Sequence, residues 1–550
     1  MATTTHDDGE PPDPRASTDS QTHLLTPSPS PSSPLLPPSQ HDTNPLAMAP
    51  EDSADQDPAH GLSAEEARRV LRRIDRRVIP LLFLASALTF MDKTILSSAA
   101  VFGLRADTGL SGGEYSWVSS AFYLGYLVAT YPATRLAARL PVAKYLGVNS
   151  LFWGTVVALT AACGGFGGVF TARFALGLAE AAVAPCQVFV TGAWYVRDEI
   201  PARTGVWFAG NSVGGIVSSL LAFGVGSGVQ HGAWRWMFAI LGILTFVFGG
   251  VVLAFLPDSI STARFLTVEE KKWARDRVVV AGLGATEKKP WRWDQMRECL
   301  VDPKTWMVWA LALLCQIPNG GTQNFANIVI TSFGFSPLQS TLINIPYSVL
   351  GFATITGSGW VAGRFRSMNC ILIALVVIPP IIGSALISHR TGLPHGVSLF
   401  GYFLLSTGPS ALPLLLSLVQ SNFRGVTKKM TMTALLFIAY CAGNIAGPQL
   451  FRGDEAPMYN TAFRGILVCY SLVVGFALAL RAYLQAVNRR RQRREGVEGS
   501  AGASGAVGGG KVVDVRLDRP VGEAVGEVRL RPEDYEDVTD WNTFGFRYRL

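Results

Sequence analysis

Twelve apolar runs constrain this chain more than any other feature; they fall at 79–102, 116–136, 143–162, 168–191, 204–226, 235–256, 305–328, 340–362, 368–388, 395–419, 430–450 and 463–487. Each can cross the hydrocarbon layer of a bilayer as a helix, a setting in which every backbone N–H and C=O must be satisfied internally. The expectation is an all-α polytopic membrane protein with 12 transmembrane helices. The chain is 49% hydrophobic and only 16% charged, with mean hydropathy +0.28, well outside the range of a soluble protein of this length.

The net charge of +7 invites a nucleic-acid reading. The basic residues sit in short loops between apolar runs, however, which is a topology signal, and no nucleic-acid partner is expected. Arg135, Arg139, Lys144, Arg197, Arg203, Arg364, Arg366, Arg424, Lys428, Lys429 and ten more Lys and Arg over 257–304 share one side with the N-terminus. Both termini are therefore expected in the cytoplasm. Seven cysteines without a C-x-x-C pair predict neither a disulfide framework nor a metal site.

The long basic segment divides the runs six and six, and the domains follow from that. Residues 1–60, rich in Pro, Ser, Thr and Asp, predict a disordered cytoplasmic tail. Residues 70–257 and 305–488 form two six-helix halves. The connector at 258–304 opens an amphipathic helix with a capping box, Thr267 to Glu270, that runs to about Val280. Residues 489–550 form a second cytoplasmic tail, Gly-rich and then mixed in charge, assigned no fold.

The first and fourth runs hold four ionisable residues between them, where a charge costs roughly 2.5–3.5 kcal/mol and persists only against a protein interior or a wet cavity. Asp92 and Lys93 are about 100° apart on one helix and cannot share a partner. Arg173 and Glu180 are nearly on one face of the fourth run but about 10 Å apart along it. Asp92 and Arg173 are expected to pair, which leaves Glu180 deeper and less compensated. A carboxyl group so placed is suited to pick up and release a proton, whereas Lys93, supported by Arg173, is suited to hold an anion. The alternative reading of each is a structural ion pair or hydrogen bond that fixes packing.

The seventh run carries no charge in its centre but places Gln316, Asn319, Gln323 and Asn327 on one helix face, beside Pro318 and Gly320-Gly321. With Asn444 on the eleventh run, these amides can bind a solute without titrating, or serve as glue between helices. The Pro-Gly sequence predicts a helix break facing a cavity. Tyr123, Tyr126 and Phe122 line the cavity or pack as core aromatics. Glycines along the fifth run, among them Gly205, Gly210, Gly214, Gly215 and Gly224, predict close helix approach. No phosphate-binding loop or nucleophile elbow is present, so no enzyme activity is expected.

Several motifs carry a resemblance. M-D-K (91–93), L-S-G-G-E-Y-S-W-V-S-S-A-F-Y-L-G-Y (110–126), W-G (153–154), R-F-A-L-G-L-A-E-A (173–181), W-R-W-M-F-A-I-L-G (234–242), P-N-G-G-T-Q-N-F (318–325) and G-N-I-A-G-P-Q-L-F (443–451) follow in order over residues 70 to 490. They resemble the fungal allantoate permease group of the anion:cation symporters, a branch of the major facilitator superfamily. The closing D-W-N-T-F-G-F-R-Y (540–548) is similar to the ending of many such transporters. The resemblance implies a major facilitator fold of two six-helix halves and proton-coupled import of a small organic anion by alternating access. Allantoate, ureidosuccinate, nicotinate, pantothenate and biotin are the implied solutes. It also implies proton coupling at the acid of the Asp92-Lys93 pair and anion binding at its base. The proton gradient drives transport without a cofactor, and a monomer in the plasma membrane is expected. A nutrient sensor on the same fold and an exporter of a small metabolite are the alternatives. One departure stands out: the loops T-R-L-A-A-R-L-P and G-W-V-A-G-R-F-R lack the aspartate of the superfamily's usual latch pattern.

Overall fold

The computed structural model describes residues 64–196, 199–229, 231–280, 291–365, 368–389, 394–502, 539–541 and 547–550. The expected disorder of 1–60 and most of the tail after 489 lie outside these residues. Twelve helical spans follow one another, and no strand occurs among the described residues. The first begins at Ala64, well before the apolar run, and ends in a π turn, Ala100–Leu104, where Gly103 adopts φ 101°. The second, third and sixth are single helices, Gly112–Arg139, Val142–Thr160 and Ala233–Phe255. The fourth, Phe166–Trp194, and the fifth, Ile200–Phe208 with Gly210–Gly228, are each built from two pieces. The last six are Pro303–Thr331, Pro337–Arg364, Asn369–Ser388, His395–Asn422, Val426–Gln449 and Asn460–Gly502.

Nine of the twelve are apolar enough to be recognised as membrane spans by composition alone. The second, seventh and eighth are not, although 28 or 29 residues of helix is more than a bilayer needs. Their Ser, Asn and Gln residues have a physical explanation: these three spans pack against the opposite half, against the eleventh, first and fifth spans respectively, and so need no uniformly lipid-facing surface.

Glycine sets the closest approaches. A Cβ on Gly125 would collide with the carbonyl of Phe174, and one on Gly177 with the carbonyl of Phe122, so the second and fourth spans touch backbone to backbone. Gly210 and Gly214 press the fifth span on Phe83 and Ala87 of the first, as expected, whereas Gly205 and Gly224 face open space. Gly320 and Gly321 pack on Asn444 and Gly447 of the eleventh span. The break expected at Pro318 is absent, because the helix runs unbroken from Pro303 to Thr331 and its glycines are used for packing.

The end of the bundle opposite the termini is sealed between the first six and last six spans. Tyr115 donates to the Asn324 carbonyl (2.8 Å), the Asn327 N–H to Ser97 Oγ (2.9 Å), Ser120 Oγ to the Ile445 carbonyl (2.8 Å), and Gln449 Nε2 to Ser120 Oγ (3.1 Å). At the end that carries the termini, Tyr131 on the second span is 74% exposed.

The connector holds two helices where one was expected. Val268–Val280 has the predicted capping box, with Glu270 accepting from the Thr267 N–H (2.9 Å), and is tied to the first six spans by Arg73–Glu270 (2.9 Å) and Arg277–Glu199 (2.8 Å). Trp293–Val301 belongs to the other side: Gln295 Oε1 accepts from the Thr427 and Lys428 N–H groups, and Glu298 pairs with Lys428 (2.7 Å).

Candidate functional site

The four intramembrane charges converge, but not in the expected pairs. Arg173 donates to the main-chain carbonyl of Asp92 (3.0 Å), not to its carboxylate. The Asp92 carboxylate instead accepts a short hydrogen bond from the indole of Trp153 on the third span. Lys93 Nζ lies 3.1 Å from Glu180 Oε2, so Glu180 is the compensated acid. The physical reason is register: the Gly125–Gly177 contact brings the second and fourth spans so close that Phe122 occupies the space between the cations. Lys93 and Arg173 stand 5.4 and 5.5 Å from its ring centroid.

Asp92, Arg173 and Glu180 are all at most 2% exposed, while the Lys93 side chain keeps 15% exposure. The Lys93–Glu180 contact is an ion pair without hydrogen-bond alignment. Asp92 Oδ1, Arg173 Nε and both Glu180 oxygens lack a hydrogen-bond partner. Such groups normally find one, and removing either member of a buried pair costs about 3–5 kcal/mol. The cluster is thus tightly confined yet under-satisfied, with one cation partly accessible.

Glu180 also terminates a helix. The fourth span breaks between Glu180 and Val183, because Pro185 has no N–H for the Ala181 carbonyl, and helix resumes with the Cys186 N–H bonded to Ala182 (3.1 Å). A-V-A-P-C carried that signal in the sequence, and the expectation of one unbroken span overlooked it. Irregular backbone at membrane depth is tolerated only where it is buried in protein or lines a cavity.

The amide face divides. Gln316, Asn319 and Asn444 bond one another: Asn319 Nδ2 donates to Gln316 Oε1 (3.1 Å) and Asn444 Oδ1 (3.2 Å), and Asn444 Nδ2 donates to Gln316 Oε1 (3.1 Å). Gln323, half-buried, makes no side-chain hydrogen bond among the described residues. Tyr123 and Tyr126 are buried beside Phe122, at 4.9 and 6.0 Å between ring centroids, and Tyr123 also meets Tyr440 of the eleventh span at 5.9 Å. Acids and bases therefore line one half and neutral amides the other. Sequence reasoning missed Trp153 as a site residue; its only signal was an indole donor opposite a buried acid.

Twelve spans in two sets, a seal between the sets at one end and a confined charge cluster within the first set describe a carrier geometry, and known proteins agree. The Schizosaccharomyces pombe protein named uncharacterized transporter C417.10 is 32% identical, covering 89% of this chain and 91% of its own. The allantoate permease of Saccharomyces cerevisiae is 30% identical, covering 89% and 88%. The crystal structure of a D-xylose-proton symporter superposes with a TM-score of 0.56 at 14% identity, covering 74% of this chain and 96% of its own, a likeness of fold. The family model of the Major Facilitator Superfamily matches residues 82–448, and with this architecture beneath the match the chain belongs to that superfamily.

Proposed function

We propose that the protein is a secondary transporter that carries a small organic anion together with a proton, and that the Lys93–Glu180 pair couples the two. The 3.1 Å contact is the observation that carries the reading. Lys93 is the one partly accessible cation of the cluster, so an entering carboxylate competes with Glu180 for it. As Lys93 turns to the substrate, Glu180 remains as a buried carboxylate without a counter-ion. In an apolar surrounding that state is costly, and a proton relieves it. Substrate binding thereby demands proton binding. Arg173 and Trp153 hold Asp92 and with it the backbone that carries Lys93; Asp92 is the competing proton site. Gln323 has free hydrogen-bonding capacity for the neutral part of the solute, and Tyr123 and Tyr126 shape its wall. The allantoate permease relative supports a carboxylate solute.

The reading takes the protein as a monomer in the plasma membrane with both termini in the cytoplasm, supported for the termini by the basic loops on their side, and on that reading the state sealed at the opposite end faces inward. Net uptake and counterflow of a panel of labelled carboxylates in reconstituted vesicles provide the test. Lys93→Ala abolishes both, and Lys93→Arg keeps part of each. Glu180→Gln keeps counterflow and loses pH-driven accumulation. Should Glu180→Gln accumulate normally while Asp92→Asn only exchanges, the coupling site is Asp92.

A further inference from the structure

The chain's last residues fold back onto the terminus-bearing face of the last six spans. Asp540 is fully buried and pairs with two buried lysines, Lys304 at the start of the seventh span and Lys428 at the start of the eleventh (2.8 Å to Lys428). Tyr548 donates to the same carboxylate (2.7 Å). Thr539 and Trp541 reach the connector, donating to Glu298 (2.8 Å) and Asp302 (3.0 Å). Farther along, the Leu550 carbonyl accepts from the Asn369 N–H (2.9 Å), and the main chain of Arg549 exchanges two hydrogen bonds with the side-chain amide of Asn422.

This is a built peptide seat. The ligands named above come from the seventh, ninth, tenth and eleventh spans and from the connector, and the twelfth span adds Asn488, which donates to the Tyr548 carbonyl (2.9 Å), and Arg491, which donates to the Asp540 carbonyl (2.9 Å). We propose that the segments 539–541 and 547–550 are a built-in ligand for this seat: docked, they clamp connector helix Trp293–Val301 and the near ends of the seventh and eleventh spans into one body. Released, they uncouple the connector from the last six spans. The idea is independent of which solute is carried. Burial alone would raise the Asp540 carboxyl, but Lys304 and Lys428 outweigh it and hold the group below its ordinary range. The stabilisation from that carboxylate is complete above the ordinary carboxylate range and is lost only as pH falls through the depressed value.

Amide hydrogen exchange on the full chain tests this, with Thr539→Asp setting a carboxylate against Glu298 and Asp540. Exchange in Trp293–Val301 should rise at least tenfold in the variant while Val268–Val280 is unchanged. A fluorescein-labelled peptide of sequence 539–550 should bind the variant, restore slow exchange, and bind the wild-type chain at least tenfold more weakly because its seat is filled. Lys304→Ala in the same background should prevent the rescue. Unchanged exchange, equal acceleration in both connector helices, or equal peptide binding by both chains overturns the proposal. A wild-type measurement guards against misfolding of the variant: trypsin should cleave after Arg547 at least tenfold more slowly in the native chain than in the free peptide. Equal cleavage rates also overturn it.

Discussion

Trp153 carries no charge, yet it is the only side chain that hydrogen-bonds the Asp92 carboxylate among the described residues. Trp153→Phe keeps the ring and removes one N–H. It leaves a buried carboxylate short of a donor, a loss of about 1–3 kcal/mol. We expect a lower Tm for the purified variant, and no further drop when Asp92→Asn is added, because the two residues act through one bond. Additive losses would show that Trp153 acts by packing alone. The four ionisable residues were legible in the sequence because charges stand out in apolar runs. Their pairing was not, since it depends on which helix faces meet, and that register is set by two glycines. The indole was invisible for a related reason: a tryptophan in a membrane run reads as an ordinary apolar or interfacial residue until its partner is seen.

Among the elements, the contact of the second and fourth spans is the one on which the charge cluster depends. Gly177→Val places a side chain on the Phe122 carbonyl and must separate the helices, which moves Phe122 away from both cations. Overpacking of this kind costs about 1–3 kcal/mol or more. Gly224→Ala, on a helix face with open space around it, should be neutral or gain roughly 0.5–1 kcal/mol from the lower cost of ordering alanine. Heating followed by size-exclusion chromatography should show early loss of monodisperse Gly177→Val and none for Gly224→Ala; the reverse order would contradict the packing account. The long apolar runs and the first connector helix were readable, since length, period and capping box are local signals. The second connector helix, Trp293–Val301, was not: it is short and forms against Thr427 and Lys428, far away in sequence. The seventh span was read as broken at Pro318 because the sequence does not say whether a Gly-Gly pair bends a helix or lets another approach.

At the scale of the whole molecule, the two halves differ in kind: acids and bases line one, and the middles of the seventh to eleventh spans hold no Asp, Glu, Lys or Arg. Inside the bilayer, Lys93 and Arg173 balance Asp92 and Glu180, so the ionised cluster sums to zero. Adding one monovalent anion and one proton also sums to zero. Moving an uncompensated charge across a membrane involves about 2.3 kcal/mol per 100 mV. For the proposed cycle of one anion with one proton, neither the empty nor the loaded carrier presents a charge for the membrane voltage to act on, and turnover is expected to be electrically silent. In vesicles with potassium and valinomycin setting the potential, uptake of a monovalent anion should follow the pH difference and ignore the voltage. A rate that rises with inside-negative potential would mean that a second proton travels with the anion. For a dianion carried with one proton the silence ends, and the same voltage that leaves monovalent solutes untouched opposes its entry, so the membrane potential itself becomes a selectivity filter.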